Sequence, residues 1–279
     1  MFPNYLALVS ETSEISASEL NRVAAALNKQ ATRDLGPIWG LNATVDAFID
    51  LEDVPIGYWP IIVRDDIDVP GASGVHSDRD GQPLSLIQYN NSWSLTASHE
   101  MLEMLVDPYG NRLIAGPSLK DDQGRVEYLV EVADASEVAD HGYTVNGILM
   151  SDFYTPHFFD PVHDPSVRYS YTGAITRPRE VLPGGYITWH DPVSGQWWQL
   201  TYFGAAQEIR DLGRIEIGAE SVRAAIDRVT EVRQLIAGVD PTNPRLRSAI
   251  RAGEAVSNSA DRKAELWREQ IEVLKADAS

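Results

Sequence analysis

Ser98-His99-Glu100-Met101-Leu102-Glu103-Met104-Leu105-Val106-Asp107-Pro108 is the stretch on which the reading of this chain turns. It closes an apolar run that begins at Trp93, behind the cap-type residues Asn90-Asn91-Ser92. Asp107-Pro108 stops the run, because proline removes a helical N–H and clashes with the preceding turn. A helix is therefore expected over 93–106. His99 and Glu103 are four residues apart, so they project from one helix face with Cβ atoms about 5–6 Å apart. One divalent ion can bridge two side chains at that separation. Glu100 is rotated about 100° away, where a general base for ion-activated water belongs. The pattern is that of His-Glu-x-x-His with Glu in the second ligand position. The plainer reading of His99 and Glu103 is an i, i+4 hydrogen bond on a half-exposed face, with Glu100 solvated.

The chain ahead of this helix alternates. Tyr5 to Val9 reads as a strand. Ser16 or Ser18 opens a helix with Leu20, Val23, Ala24 and Leu27 on one face and Asn21, Arg22 and Lys29 on the other, ended by Gly36-Pro37. Asn42 to Ile49, Tyr58 to Val63 and Pro83 to Tyr89 read as strands. Pro60 puts the second of these at an edge or a bulge. Asp65 to Gln82 reads as a polar loop; its Asp65, Asp66, Asp68, Asp78 and Asp80 are taken as solvated. The order is strand, helix, three strands, helix. Beyond Pro108, Val126 to Val132 and Tyr143 to Met150 read as strands, the latter turning at Asn146-Gly147. Tyr186 to Trp189 and Gln196 to Phe203 read as a hairpin. Its Trp189, Trp197, Trp198, Tyr186 and Tyr202 suit core packing, or a sugar-stacking face. Val222 to Ala237 and about Pro244 to Ala276 read as amphipathic helices, with Val222, Ile226, Val229, Val232 and Leu235 as the apolar stripe of the first.

Composition sets the outer limits. The chain has 279 residues, 43% hydrophobic and 23% charged, which is globular usage. A net charge of −18 argues against nucleic acid or an anionic membrane as partner. Cysteine is absent, which excludes disulfides, thiolate zinc sites, iron–sulfur clusters and cysteine nucleophiles. Any metal must use His, Asp, Glu or backbone oxygen. No apolar stretch long enough for a membrane-spanning helix is present. Met1 to Ser10 carries no basic leader. A cytoplasmic location is expected, with signal-independent export open.

Ser98 to Pro108, Glu131-Val-Ala-Asp134 and Ser151-Asp-Phe-Tyr-Thr-Pro156 resemble a group of poorly characterised, zincin-like bacterial and phage-associated proteins. Roughly residues 1–205 share the resemblance. It implies an α+β fold: a zincin-like core, in the order strand, helix, three strands, active-site helix, over 1–110. A β-rich part over 111–210 completes a cleft, and a helical appendage covers 211–279. It also implies that the strand before the active-site helix, Pro83 to Tyr89, lies on the sheet edge and binds extended peptide. The expected activity is that of a metallopeptidase, with His99 and Glu103 as ligands and Glu100 as the base. One His and two carboxylates would hold Zn²⁺ and also admit Mn²⁺ or Fe²⁺. The usual third-ligand motif downstream of the helix is missing. Glu131, 28 residues beyond Glu103, is the best third ligand; Asp134, His157 and Asp107 are the alternatives. Asp107 lies about 12 Å further along the helix axis than His99. Tyr154 could polarise a carbonyl. Glu131, Asp134 and Glu137 could otherwise bind Ca²⁺ with Asp140, without an EF-hand spacing. His76, His141, His163 and His190 read as surface residues.

Two other functions compete. One is a zincin-like scaffold without catalysis, a binding or assembly module of a phage-like particle, whose C-terminal helices dock a partner protein. The other is a carbohydrate-binding protein using the Trp hairpin.

Overall fold

Leu6 to Val9 are all buried, as expected of a strand covered on both faces. They lie in β1 (Asn4–Ser10), which pairs in parallel with β2 (Ala43–Phe48) and β3 (Tyr58–Arg64). The computed structural model describes residues 3–230 apart from positions 70, 80 and 219. β5 (Gln82–Gln88) continues the sheet in parallel with β3, and β4 (Gly74–Arg79) closes it antiparallel to β5. The order is β2-β1-β3-β5-β4. Helix α1 (Ala17–Lys29) is capped by Ser16, whose side chain accepts from the Glu19 N–H at 3.2 Å. It packs on β2 and β1, and α3 (Trp93–Val106) packs on β5 and β4.

A second sheet follows. β6 (Leu113–Pro117), β7 (Arg125–Leu129), β10 (Tyr186–Asp191), β11 (Gln196–Thr201) and β12 (Glu208–Gly213) pair antiparallel in the order β12-β11-β10-β7-β6. β8 (Tyr143–Val145) and β9 (Ile148–Met150) form a hairpin whose turn residues Asn146 and Gly147 have φ of 52° and 81°. One apolar cluster runs through both sheets, from Leu6 and Ile61 to Tyr128 and Trp189. The fold is mixed α+β. Among the described residues no helix is long and apolar enough to cross a membrane.

The structure departs from the sequence reading at identifiable places. Four strands, not three, separate α1 from α3, because part of the expected Asp65–Gln82 loop is β4. The sheet edge is therefore β4, and the segment Pro83 to Tyr89 falls inside the sheet as β5. β3 is interior too. Pro60 lies ahead of the β5 pairing, which starts at Ile61, so on that side it interrupts no ladder bond. Gly36-Pro37 does not end the first helical region. A π-helical turn (Gln30–Leu35) leads into α2 (Gly36–Trp39), and the stop is Gly40 at φ 68°. β6 and β12 lie where the sequence patterning marks no element. β12 crosses the expected boundary at residue 211. Of the C-terminal helices, α4 spans Val222–Thr230; the remainder of the first and all of the second lie outside the described residues.

Trp189 and Trp197 are buried at 0% and 3% exposure, with Trp189 against Tyr128 at 5.9 Å between ring centroids. Trp198 is half-buried under Lys120 Nζ, 4.1 Å from its ring. Trp189 and Trp197 of the hairpin are core residues, and Trp198 and Tyr202 pack partly buried against the core.

Candidate metal centre

Helix α3 carries its polar residues inward. All of it except Ser94 is buried, including Ser98, His99, Glu100 and Glu103. Such burial is tolerated only where partners replace water. Ser98 shows the arrangement: its hydroxyl donates to Gln30 Oε1 at 2.8 Å and accepts from the Ser151 N–H at 2.9 Å. Gln30 in turn donates to the Ser151 carbonyl at 3.0 Å. This ties α3 to the end of α1 and to the chain after β9. Beyond the helix the Asp107 carboxylate accepts from the N–H groups of Asn111 at 3.1 Å and Arg112 at 2.7 Å. Asp107 fixes the chain reversal and is no part of the centre.

The centre is built where α3, β4 and the chain after β7 meet. His99 Nε2 lies 3.4 Å from Glu103 Oε1 and 3.1 Å from Asp134 Oδ1. The three ligand atoms fall within 4.8 Å of one another. On the other side of Glu103, His76 Nδ1 lies 3.4 Å from Glu103 Oε2 and 3.4 Å from Glu100 Oε2. That trio is equally close. Glu103 belongs to both groups. Arg223, from α4, places Nη1 2.8 Å from Glu103 Oε2 and Nε 3.1 Å from Glu131 Oε1. The carboxylate of Glu137 is buried alongside and has no hydrogen-bond partner among the described residues. The backbone has little slack here. A Cβ on Gly74 of β4 would meet Thr96 Cγ2 at 2.5 Å and Glu100 Oε1 at 2.9 Å, so only glycine brings the edge strand this close to α3.

The electrostatics follow from crowding acids out of water. Burial alone would push Glu103 up, but His99, Arg223 and His76 outweigh it and hold the carboxyl well below its usual range. Burial alone would strip the proton from His99; Glu103, Asp134 and Glu100 keep its pKa well above normal. His76 is held up by Glu100 and Glu103 against burial and Arg223. Burial, reinforced by Glu103, lifts Asp134 to about 6. Burial lifts Glu131 and Glu137 well above the carboxylate range, Arg223 opposing in the first case and Asp134 adding in the second. Among the described residues, Glu100, Glu103, Glu131, Asp134 and Glu137 thus share Arg223 and the imidazoles of His76 and His99 as nearby basic groups. A buried set of this kind is relieved by taking up protons or a further cation.

The sequence-derived residues sort plainly. His99 and Glu103 stand in one group, and Glu100 joins Glu103 in the other. Glu131 reaches the cluster, but its carboxylate faces Arg223. Of the alternatives, Asp134 stands with His99 and Glu103. His157 is exposed and pairs with Asp160 at 2.8 Å, away from the centre. Tyr154 is buried beside Glu103, Glu131 and Asp134, and burial followed by those carboxylates pushes its hydroxyl pKa well up. Two members were not anticipated. His76, expected at the surface, is 4% exposed. Its strand has an Asp80-Gly81 turn signal behind it, which could have revealed the β4–β5 hairpin. Arg223 interrupts the apolar face of Val222, Ala225 and Ile226, and that break is its only mark in the sequence. Val229, placed in the stripe, is exposed at 46%.

No family model, no curated protein and no solved structure matches this chain.

Proposed function

We propose that the protein is a metal-dependent hydrolase of zincin type that cleaves peptide bonds. The observation that supports it most is the convergence of His99 Nε2, Glu103 Oε1 and Asp134 Oδ1, all buried, beside Glu100 on the same helix. His99, Glu103 and Asp134 would hold the ion, Zn²⁺ by preference, with Mn²⁺ or Fe²⁺ also suited to one imidazole and two carboxylates. A divalent ion there supplies Lewis-acid polarisation and acidifies water. Glu100 takes the proton from the attacking water and returns it to the leaving amine. β4 gives the substrate class its support. It is an edge strand beside α3 whose strand partner among the described residues is β5, and an edge strand suits an extended peptide added as a further strand. The antiparallel edge thus takes the role that the resemblance assigned to Pro83 to Tyr89.

A second reading is favoured by one observation. His99, Glu100 and Glu103 are 0–1% exposed, as in a scaffold that binds an ion or a partner without turnover. The two separate in one assay. Purified protein, stripped with chelator and reloaded with Zn²⁺ or Mn²⁺, is expected to cleave unstructured peptides only when loaded. No cleavage with any of Zn²⁺, Mn²⁺ or Fe²⁺ across a diverse peptide library would favour the scaffold.

A further inference from the structure

The position framed by His76, Glu100 and Glu103 already receives a cation. The guanidinium of Arg223 enters it, with Nη1 2.5 Å from His76 Nδ1 and 2.8 Å from Glu103 Oε2. A guanidinium has donors only, so the imidazole nitrogen facing it can accept from it only in the neutral ring. One imidazole nitrogen and two carboxylate oxygens are equally the donor set of a divalent ion. Both oxygens of Glu100 are buried without a hydrogen-bond partner among the described residues, 3.4 Å from His76 at the nearer one. Glu103 turns Oε1 to His99 and Oε2 to His76, as a carboxylate bridging two ions does.

We propose that His76, Glu100 and Glu103 form a second divalent-cation site, bridged through Glu103 to the His99–Glu103–Asp134 site, and that Arg223 of α4 occupies it in competition with the second ion. This rests on the metal reading of the first site. With Arg223 in place the centre takes one ion, and Glu100 stays free to act as a base. With Arg223 withdrawn, Glu100 becomes a ligand and the centre takes two. α4 thereby sets how many ions the centre holds. Its hold is local: the Arg223 N–H donates to the Gly110 carbonyl at 3.0 Å, the Val222 N–H donates to Asn111 Oδ1 at 2.8 Å, and Val222 and Ile226 pack on Leu129 and Trp197.

The test uses the full chain and Mn²⁺ alone. Wild type, Arg223→Gln and Arg223→Met are equilibrated with Mn²⁺, freed of excess, counted by elemental mass spectrometry and read by electron paramagnetic resonance. Expected are about one ion in wild type and about two in either variant, with the spectrum of a coupled pair. Adding His76→Ala to the variant returns it to one. A variant that still holds one ion, with no coupled spectrum, overturns the proposal. If the first site is wrong instead, wild type is empty. The variant then gains an ion that His76→Ala removes if the second site is real, and gains none if it is not. Should neither variant fold, wild type decides. Mn²⁺ beyond the first equivalent is expected to expose α4 to trypsin at Arg223 and Arg228, and unchanged protection at saturation overturns the proposal.

Discussion

Glu100→Gln is expected to lower peptide turnover by about 10²–10⁴-fold while leaving the metal content at the wild-type level. Gln keeps the shape of the side chain but cannot accept the proton of the attacking water. The position suits the test because Glu100 stands outside the His99–Glu103–Asp134 group yet on the same helix, one residue from His99. Replacing its buried carboxylate with an amide also removes a charge from an acid-rich cluster, so no loss of folding is expected. The readouts are the rate on a cleaved peptide and the ion count of the same sample. Undiminished turnover would remove the base role from Glu100. Loss of the ion would make Glu100 a ligand of the first site.

Trp189→Ala is expected to cost about 3–5 kcal/mol of folding stability, the range for truncating a fully buried aromatic side chain. Trp189 is 0% exposed and sits opposite Tyr128 of β7 and Trp198 of β11. Its indole N–H donates to Gln123 Oε1 at 3.0 Å, so the truncation leaves a cavity and removes one of two hydrogen bonds to that oxygen, the other coming from the Ser118 hydroxyl at 2.7 Å. Denaturant titration followed by tryptophan fluorescence and circular dichroism reads the change in midpoint. A cost below about 1 kcal/mol, typical of a surface position, would contradict the placement of this ring in the shared core.

The strands and helices that the sequence disclosed are those whose apolar spacing matches their burial. α1 shows this through an apolar face at helical spacing, and β1, α3 and β10 through unbroken buried runs. β4 did not, because the inward positions of this edge strand are Gly74 and His76, which carry no apolar signal. β12 is exposed from Glu208 to Asp211, so no alternation marks it. The same logic governs the centre. His99, Glu100 and Glu103 were legible because one helix sets their geometry. His76 and Arg223 come from distant segments, and only the packing of β4 and α4 on α3 brings them in. The choice between Glu131 and Asp134 turned on where β7 ends. A strand running to Val132 would have aimed Glu131 from regular structure; the strand ends at Leu129, and the turn Asp134–Ser136 delivers Asp134 to His99 instead. Asp152 holds that turn. Its carboxylate accepts from the Thr172 N–H at 2.9 Å and the Thr172 hydroxyl at 2.8 Å, and from the Ser136 hydroxyl at 3.4 Å. No sequence spacing shows a link across so many residues.

The divalent-ion site proposed at α3 and the turn after β7 is tested by metal content, read by elemental mass spectrometry. Wild type and His99→Ala are purified without chelator or affinity-tag metal and equilibrated with Zn²⁺ or Mn²⁺. About one ion per chain is expected in wild type and none in His99→Ala, with both chains folded. Wild type that holds no ion after equilibration, or a His99→Ala chain that holds as much as wild type, would contradict it.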